Sequence, residues 1–181
     1  MFKDSVLNRS FLAHRRVPIK EKEMAKGIIR LAKDIIIREE KEIIIRRVTV
    51  DRSHTPQQVL DAMGRKQDTD SEVVMDMPHG EGAEVDVVFF WVCRSWSDPD
   101  LDQECAHHGL IPADPYSIAA VNKADPAFAD THPNSGHWKD ANGRWCYMAF
   151  NHWRGKRNVI VKRGGSEWLV ERWFAGLRKT T

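Results

Sequence analysis

The sequence predicts an α+β domain led by a basic amphipathic helix, and three observations carry that prediction. Apolar residues recur at helical spacing over residues 19–40. Asp-Pro steps at Asp98-Pro99, Asp114-Pro115 and Asp125-Pro126 have the chemistry of helix starts, since Asp can cap free amides while Pro sits where no N–H is needed. β-rich runs at residues 144–153, 157–163 and 167–179 are separated by Gly155 and by Gly164-Gly165, where tight turns need positive φ. Helices grouped in the first two thirds, with strands closing the chain, give an α+β layout.

The elements follow in order. Residues 1–18 show no period and end at Pro18, which makes them an arm. From Ile19 to Glu40, Met24, Ile28, Leu31 and Ile35 recur at spacings of four, three and four, with Lys, Arg and Glu on the other face. The pattern is too short for sustained heptads, so the helix is expected to dock on its own domain or to mediate homo-oligomerisation. Arm and helix, residues 1–41, stand apart from an α+β domain over residues 42–181. "EIIIRRVTVD", residues 42–51, is β-branched and reads as the first strand. "HTPQQVLDAMG" reads as a short helix with Thr55 as cap, Pro56 at its first position, Gln58 completing a capping box and Gly64 as the stop.

Residues 65–82 are polar, contain "PHGEG" and read as a loop. "AEVDVVFFWVC", residues 83–93, is apolar on both alternations from Val87 to Cys93, the signature of a strand covered on both faces near the centre of a sheet. The helix opening at Asp98-Pro99 is expected to end at Gly109, and the next to turn Tyr116, Ile118, Ala119 and Val121 inward. In the last run, Trp168, Val170, Arg172, Phe174 and Gly176 alternate with Leu169, Glu171, Trp173, Ala175 and Leu177. Neither set is wholly polar, so this strand is expected inside the domain, closing an antiparallel meander.

Composition bounds the function. With 41% hydrophobic and 30% charged residues in 181, disorder is excluded and one domain with a short appendage is expected. No apolar run reaches the roughly 18 residues a bilayer span needs, and the start lacks a signal-peptide pattern, so a soluble cytoplasmic protein without a membrane partner is expected. Cys93, Cys105 and Cys146 form no CxxC pair, which excludes a disulfide framework or zinc ribbon. Net charge is segregated: +6 over residues 1–50, −11 over 51–140 and +7 over 141–181. Such blocks attract one another within a fold or present a basic face to phosphate or an acidic partner.

No catalytic constellation is legible. Cys105 and His108 share a helix face and His107 lies beside them, with His132 and His137 in a later loop, but no zinc-enzyme spacing such as HExxH occurs. Cys93 sits in a strand that reads as buried and is therefore inert. There is no Gly-x-Ser-x-Gly elbow and no P-loop, and "GEG" at residues 80–82 is too short for a phosphate cradle. The expectation is a non-enzymatic chain with no metal and no cofactor.

Four segments occur in an order that resembles the C-type-lectin-like fold, in the version shared by formylglycine-generating enzymes and related bacterial domains. They are "GLIPADPYSIAAV" (109–121), "GHWKDANGRWCYMAF" (136–150), "KRGGSEW" (162–168) and "RWFAGLRK" (172–179), and the likeness spans residues 84–179. The calcium triplets of sugar-binding lectins and the reactive cysteine pair of the formylglycine-generating enzymes have no counterpart, and "RGGSEW" is one residue longer than the family's turn. The resemblance implies a scaffold whose loops present a binding surface, and it carries over no catalytic residue.

The functional expectation is a module binding a protein or small-molecule ligand through a surface around His137, Trp138, Trp145, Trp153, Trp168 and Trp173. The alternative is nucleic-acid binding by the basic, Trp-rich C-terminal sheet through Arg154, Lys156, Arg157, Lys162 and Arg163, where stacking and phosphate contacts would combine.

Overall fold

The computed structural model describes residues 43–92, 95–164, 168 and 171–178. The arm and predicted helix of residues 1–41, Cys93 and Gly165 lie outside the described residues. Strand β1, Ile43–Thr49, runs antiparallel to β3, Glu84–Val92, with Ile43 opposite Phe90 and Thr49 opposite Glu84. Between them lie helix α1, Pro56–Asp61, strand β2, Lys66–Thr69, and helix α2, Ser71–Met75. Helix α3, Asp98–His107, leads through strand β4, Leu110–Pro112, to α4, Pro115–Ala124, and the one-turn α5, Phe128–Thr131. Strands β5, Asn134–Lys139, β6, Trp145–Trp153, β7, Lys156–Arg163, and β8, Arg172–Arg178, complete the described chain.

All eight strands of the described residues join one mixed sheet in the order β1-β3-β8-β5-β6-β7-β2, with β4 also paired to β8. The helix-forming signals act locally as the sequence predicts. Thr55 and Gln58 close the capping box of α1 in both directions. The Asp114 carboxylate accepts the Ser117 amide at 2.9 Å and caps α4, which buries Tyr116, Ile118, Ala119 and Val121. Strand β3 buries Val87 through Phe90 and Val92, as a strand flanked on both sides must.

Four expectations are corrected. Residues 65–82 are not all loop. "KQDT" forms β2, a polar edge strand parallel to β7, and α2 buries Val73 and Val74; a short edge strand carries no apolar alternation to announce it. At Asp98-Pro99 the cap is Ser97, boxed with Asp100, so Asp98 is already the first helical residue. At Asp125-Pro126 the Asp125 side chain accepts the Ala127 amide in a turn after α4, and Ala127 rather than Asp125 precedes α5. His137 lies in β5, not in a loop.

The terminal run is also not a continuous antiparallel meander. β6 and β7 form a hairpin, but β8 leaves it, crosses the sheet and inserts between β3, antiparallel, and β5, parallel. Physically, β8 is apolar on both faces and gains most by a central position, whereas β7 is left to take the polar edge strand β2 as its outer neighbour. Gly176 makes the crossing possible. A Cβ there would lie 2.9 Å from Leu110 Cδ1 and 3.1 Å from the Ile111 carbonyl of β4.

Two cores result, one on each face of the sheet. Helices α1, α2, α4 and α5 cover one face, burying Leu60, Val73, Ile118 and Phe128 against Val87, Phe89, Met148, Phe150, Val159 and Trp173. Helix α3 covers part of the other, packing Leu101 and Cys105 on Val88, Phe90, Val92 and Phe174. Beyond α3 and Trp168, which meets Tyr147, that second face of β6 and β7 carries half-buried and exposed side chains among the described residues.

Candidate functional site

The period-two geometry of a strand sorts β6 and β7 cleanly. Cys146, Met148 and Phe150 of β6, with Val159 and Val161 of β7, enter the helix-side core. The opposite set, Trp145, Tyr147, Asn151 and Trp153 on β6 with Lys156, Asn158, Ile160 and Lys162 on β7, is half-buried or exposed, and only Ala149 among them is buried. Registers Tyr147↔Lys162, Asn151↔Asn158 and Trp153↔Lys156 set aromatic, amide and ammonium groups side by side on this open face. The Asn158 amide donates to the Asn151 carbonyl at 3.0 Å, Lys139 Nζ lies 4.5 Å from the Trp145 ring centroid, and Lys162 pairs with Asp68 of β2 at 2.7 Å.

The face ends at a tight turn. Arg154 at φ 51° and Gly155 at φ 71° both take the left-handed conformation that a two-residue hairpin of this twist requires. Arg154 stacks its guanidinium 6.0 Å from the Trp153 ring, and Trp153 is 66% exposed. A large aromatic is thus left in water at the hairpin tip beside a cation.

At the other end of the face, where α3 meets the sheet, lies a buried polar cluster. Asp98 and Asp102 are four residues apart and share one face of α3. The His137 ring, fully buried on β5, sits between them: Nδ1 is 2.7 Å from Asp98 Oδ1 and Nε2 is 2.8 Å from Asp102 Oδ1. Asp98 Oδ1 also accepts Trp168 Nε1–H at 2.7 Å. Trp145 stacks on the imidazole at 4.6 Å, and Trp168 and Phe174 meet it edge-on. With a carboxylate oxygen at each ring nitrogen, both nitrogens can donate only when the ring is doubly protonated. The ring is buried while the Asp102 carboxylate is 45% exposed, and the arrangement clamps α3 to the sheet.

The six residues expected to face a ligand are thus divided. Trp145, Trp168 and His137 meet in the clamp, and Trp153 stands alone at the hairpin tip. Trp138 and Trp173 point to the helix side and are buried, with Trp173 edge-on to Trp91. Of the five basic residues, Lys156 and Lys162 lie on the open face and Arg154 at its tip. Arg157 makes a two-pronged pair with Asp130, and Arg163 bridges Asp140 and Glu72, on the helix side.

The two described thiols, Cys105 and Cys146, are both buried. Burial pushes Cys105 up to about 12, with Asp102 and Glu104 adding to the effect, and burial likewise raises Cys146. Cys105 enters the core beneath α3 while His107 is exposed, so the two diverge. Among the described residues, no three His, Cys, Asp or Glu side chains are grouped to hold a metal, and no helix is long and apolar enough to cross a membrane.

Several structuring residues carry no sequence signal. Arg52 gathers the carbonyls of His79, Glu81 and Gly82 with the Asp114 carboxylate, pinning the "PHGEG" loop to α4. Asp98 and Asp102 lie 39 and 35 residues from His137, a pairing no local pattern reveals. An apolar cleft of about 380 Å³ also opens between α1 and α4, lined by Val50, Val59, Met63 and Ala119 with His54 and Lys123 among its polar residues. No protein-family model, no curated protein and no solved structure matches the chain.

Proposed function

We propose that this chain is a non-enzymatic binding module of C-type-lectin-like type that takes its ligand on the open face of the β6–β7 hairpin. One observation carries the reading: beyond Trp145 and Tyr147, which pack on His137 and Trp168, Asn151 and Trp153 line up with Lys156 and Asn158 in a row that ends in an exposed Trp153. Aromatic planes offer contact area at low entropy cost, and the flanking amides and ammonium groups orient a polar ligand. The C-type-lectin-like part is supported by closure of the span 84–179: its first and last strands, β3 and β8, pair antiparallel, so the segments that carry the resemblance form one continuous unit.

A second reading, binding of single-stranded nucleic acid, is favoured by the exposed Trp153 and Lys156 of the same face, beside which Asp68 is already paired with Lys162. Trp153→Ala distinguishes a binding face from an inert one. We expect backbone-amide NMR shifts on adding peptides, oligosaccharides or a short oligothymidylate to fall on β6 and β7 for whichever class binds. Trp153→Ala should weaken that binding about tenfold without lowering the melting temperature. Binding confined to the cleft between α1 and α4, or unchanged by Trp153→Ala, overturns the assignment. An oligothymidylate affinity that falls steeply with salt selects the second reading.

A further inference from the structure

At the β6–β7 turn lies a basic pocket that shares Lys156 with the open face and reaches Asp130 and Arg157 on the helix side. It has a volume of about 480 Å³ and is lined by Gly64, Lys66, Asp130, His152, Gly155, Lys156 and Arg157. Three cationic side chains face a single carboxylate, and that carboxylate is already spent, because Arg157 grips Asp130 with Nε at 3.0 Å and Nη2 at 2.7 Å. Lys66 and Lys156 are exposed and have no ion-pair partner among the described residues. Two turns bring backbone to the mouth without side chains, at Gly64 with φ 59° and Gly155 with φ 71°, so an anion can approach closely.

Arg65, between two of the lining residues, turns inward instead. It is 93% buried, lies 5.3 Å from the Phe150 ring and donates Nη2–H to the Pro126 carbonyl at 2.9 Å. Its Nε and Nη1 are buried and make no hydrogen bond among the described residues. Burial, and then the Arg157 charge, push its guanidinium below the ordinary arginine value. Behind the exposed Lys66, Lys156 and Arg157 the pocket therefore has one desolvated cation, Arg65, whose charge adds to theirs and favours a bound anion.

We infer that this pocket binds a phosphate group, with Lys66, Lys156 and Arg157 as its cationic partners and the Gly64 and Gly155 turns as its backbone rim. Lysines serve as point charges for phosphate, and Arg157, whose Nε and Nη2 are engaged by Asp130, offers its remaining Nη1. The phosphate comes from a small phosphorylated compound or from a nucleic-acid strand that crosses the hairpin tip. The pocket shares Lys156 with the open face, so Lys66 and Arg157, which the open-face reading does not use, are what tell the two sites apart.

The test uses the full chain, pyrophosphate and a short oligothymidylate as probes, and NMR of backbone amides. Pyrophosphate should shift Gly64, Lys66, Gly155 and Lys156 with saturable, salt-sensitive binding. Lys66→Glu should weaken it about tenfold and Lys66→Arg should restore it, with the melting temperature unchanged in both. If oligothymidylate shifts the same amides and competes with pyrophosphate, the source is a nucleic-acid strand. If only pyrophosphate does so, the source is a small phosphorylated compound. Oligothymidylate that shifts β6 and β7 face residues alone, indifferent to Lys66→Glu, overturns the pocket while leaving the nucleic-acid reading of the face intact. Absence of any saturable pyrophosphate shift at millimolar concentration also overturns it.

Discussion

His137 shows how one side chain can be decisive for packing while inviting a functional misreading. A lone histidine between Gly136 and Trp138 looks like a candidate ligand in sequence, yet its ring is buried and both nitrogens are taken by Asp98 and Asp102. Removing one partner from a buried charged network leaves the others desolvated and unmatched. We expect Asp98→Ala and His137→Ala each to lower unfolding free energy by roughly 3–5 kcal/mol, measured by urea denaturation. The double variant should lose clearly less than the sum, because both changes break the same contact. A loss below about 1 kcal/mol for either would show that α3 is held by its apolar contacts alone.

At the scale of elements, the capping chemistry was readable and strand neighbours were not. Thr55, Gln58 and Asp114 act on amides two or three residues away, so their roles follow from spacing alone. The alternation in β3 and β8 showed that both are interior, but nothing in "RWFAGLR" states that its neighbours are β3 and β5 rather than β7. That choice depends on Gly176 passing under β4 and on the sum of apolar area that a central place buries. Gly176→Ala should therefore cost about 1–3 kcal/mol, since Leu110 and the Ile111 carbonyl leave no room for a methyl group. Circular dichroism melting checks this, and an unchanged melting temperature would mean that β4 can retreat without penalty.

At the scale of the whole molecule, the segregated charge forms cross-segment ion pairs among the described residues. The acidic middle is tied to the basic flanks by Arg47–Asp86, Arg157–Asp130, Lys162–Asp68 and Arg163 with Asp140 and Glu72. Asp86 and Asp130 are held below the usual carboxylate range by hydrogen bonds from Arg47 and Arg157. Asp140 is held low first by the Arg144 amide, against the opposing effect of burial. A carboxylate whose folded value is depressed contributes stability above its unfolded value, near 3.8 here, and loses it as pH falls through the folded value. The urea midpoint should accordingly be level from neutral pH to about 5 and decline below about 4, with Asp140→Asn removing part of the decline. A midpoint that held or rose in acid would show these pairs to be without consequence for folding.

The amino-acid order by itself determined the caps at Thr55 and Asp114, the interior character of β3 and β8, and the concentration of Arg, Lys and Trp near the C-terminus. Each of these is a property of neighbouring residues or of composition, where distances along the chain stand in for distances in space. Only the tertiary structure decided that β8 joins the centre of the sheet, that His137 belongs to two aspartates of α3, and which of the tryptophans reach the surface. Those outcomes turn on contacts between residues far apart in the chain. A strand's period of two says that its faces differ, but only the neighbours it meets decide which face is covered.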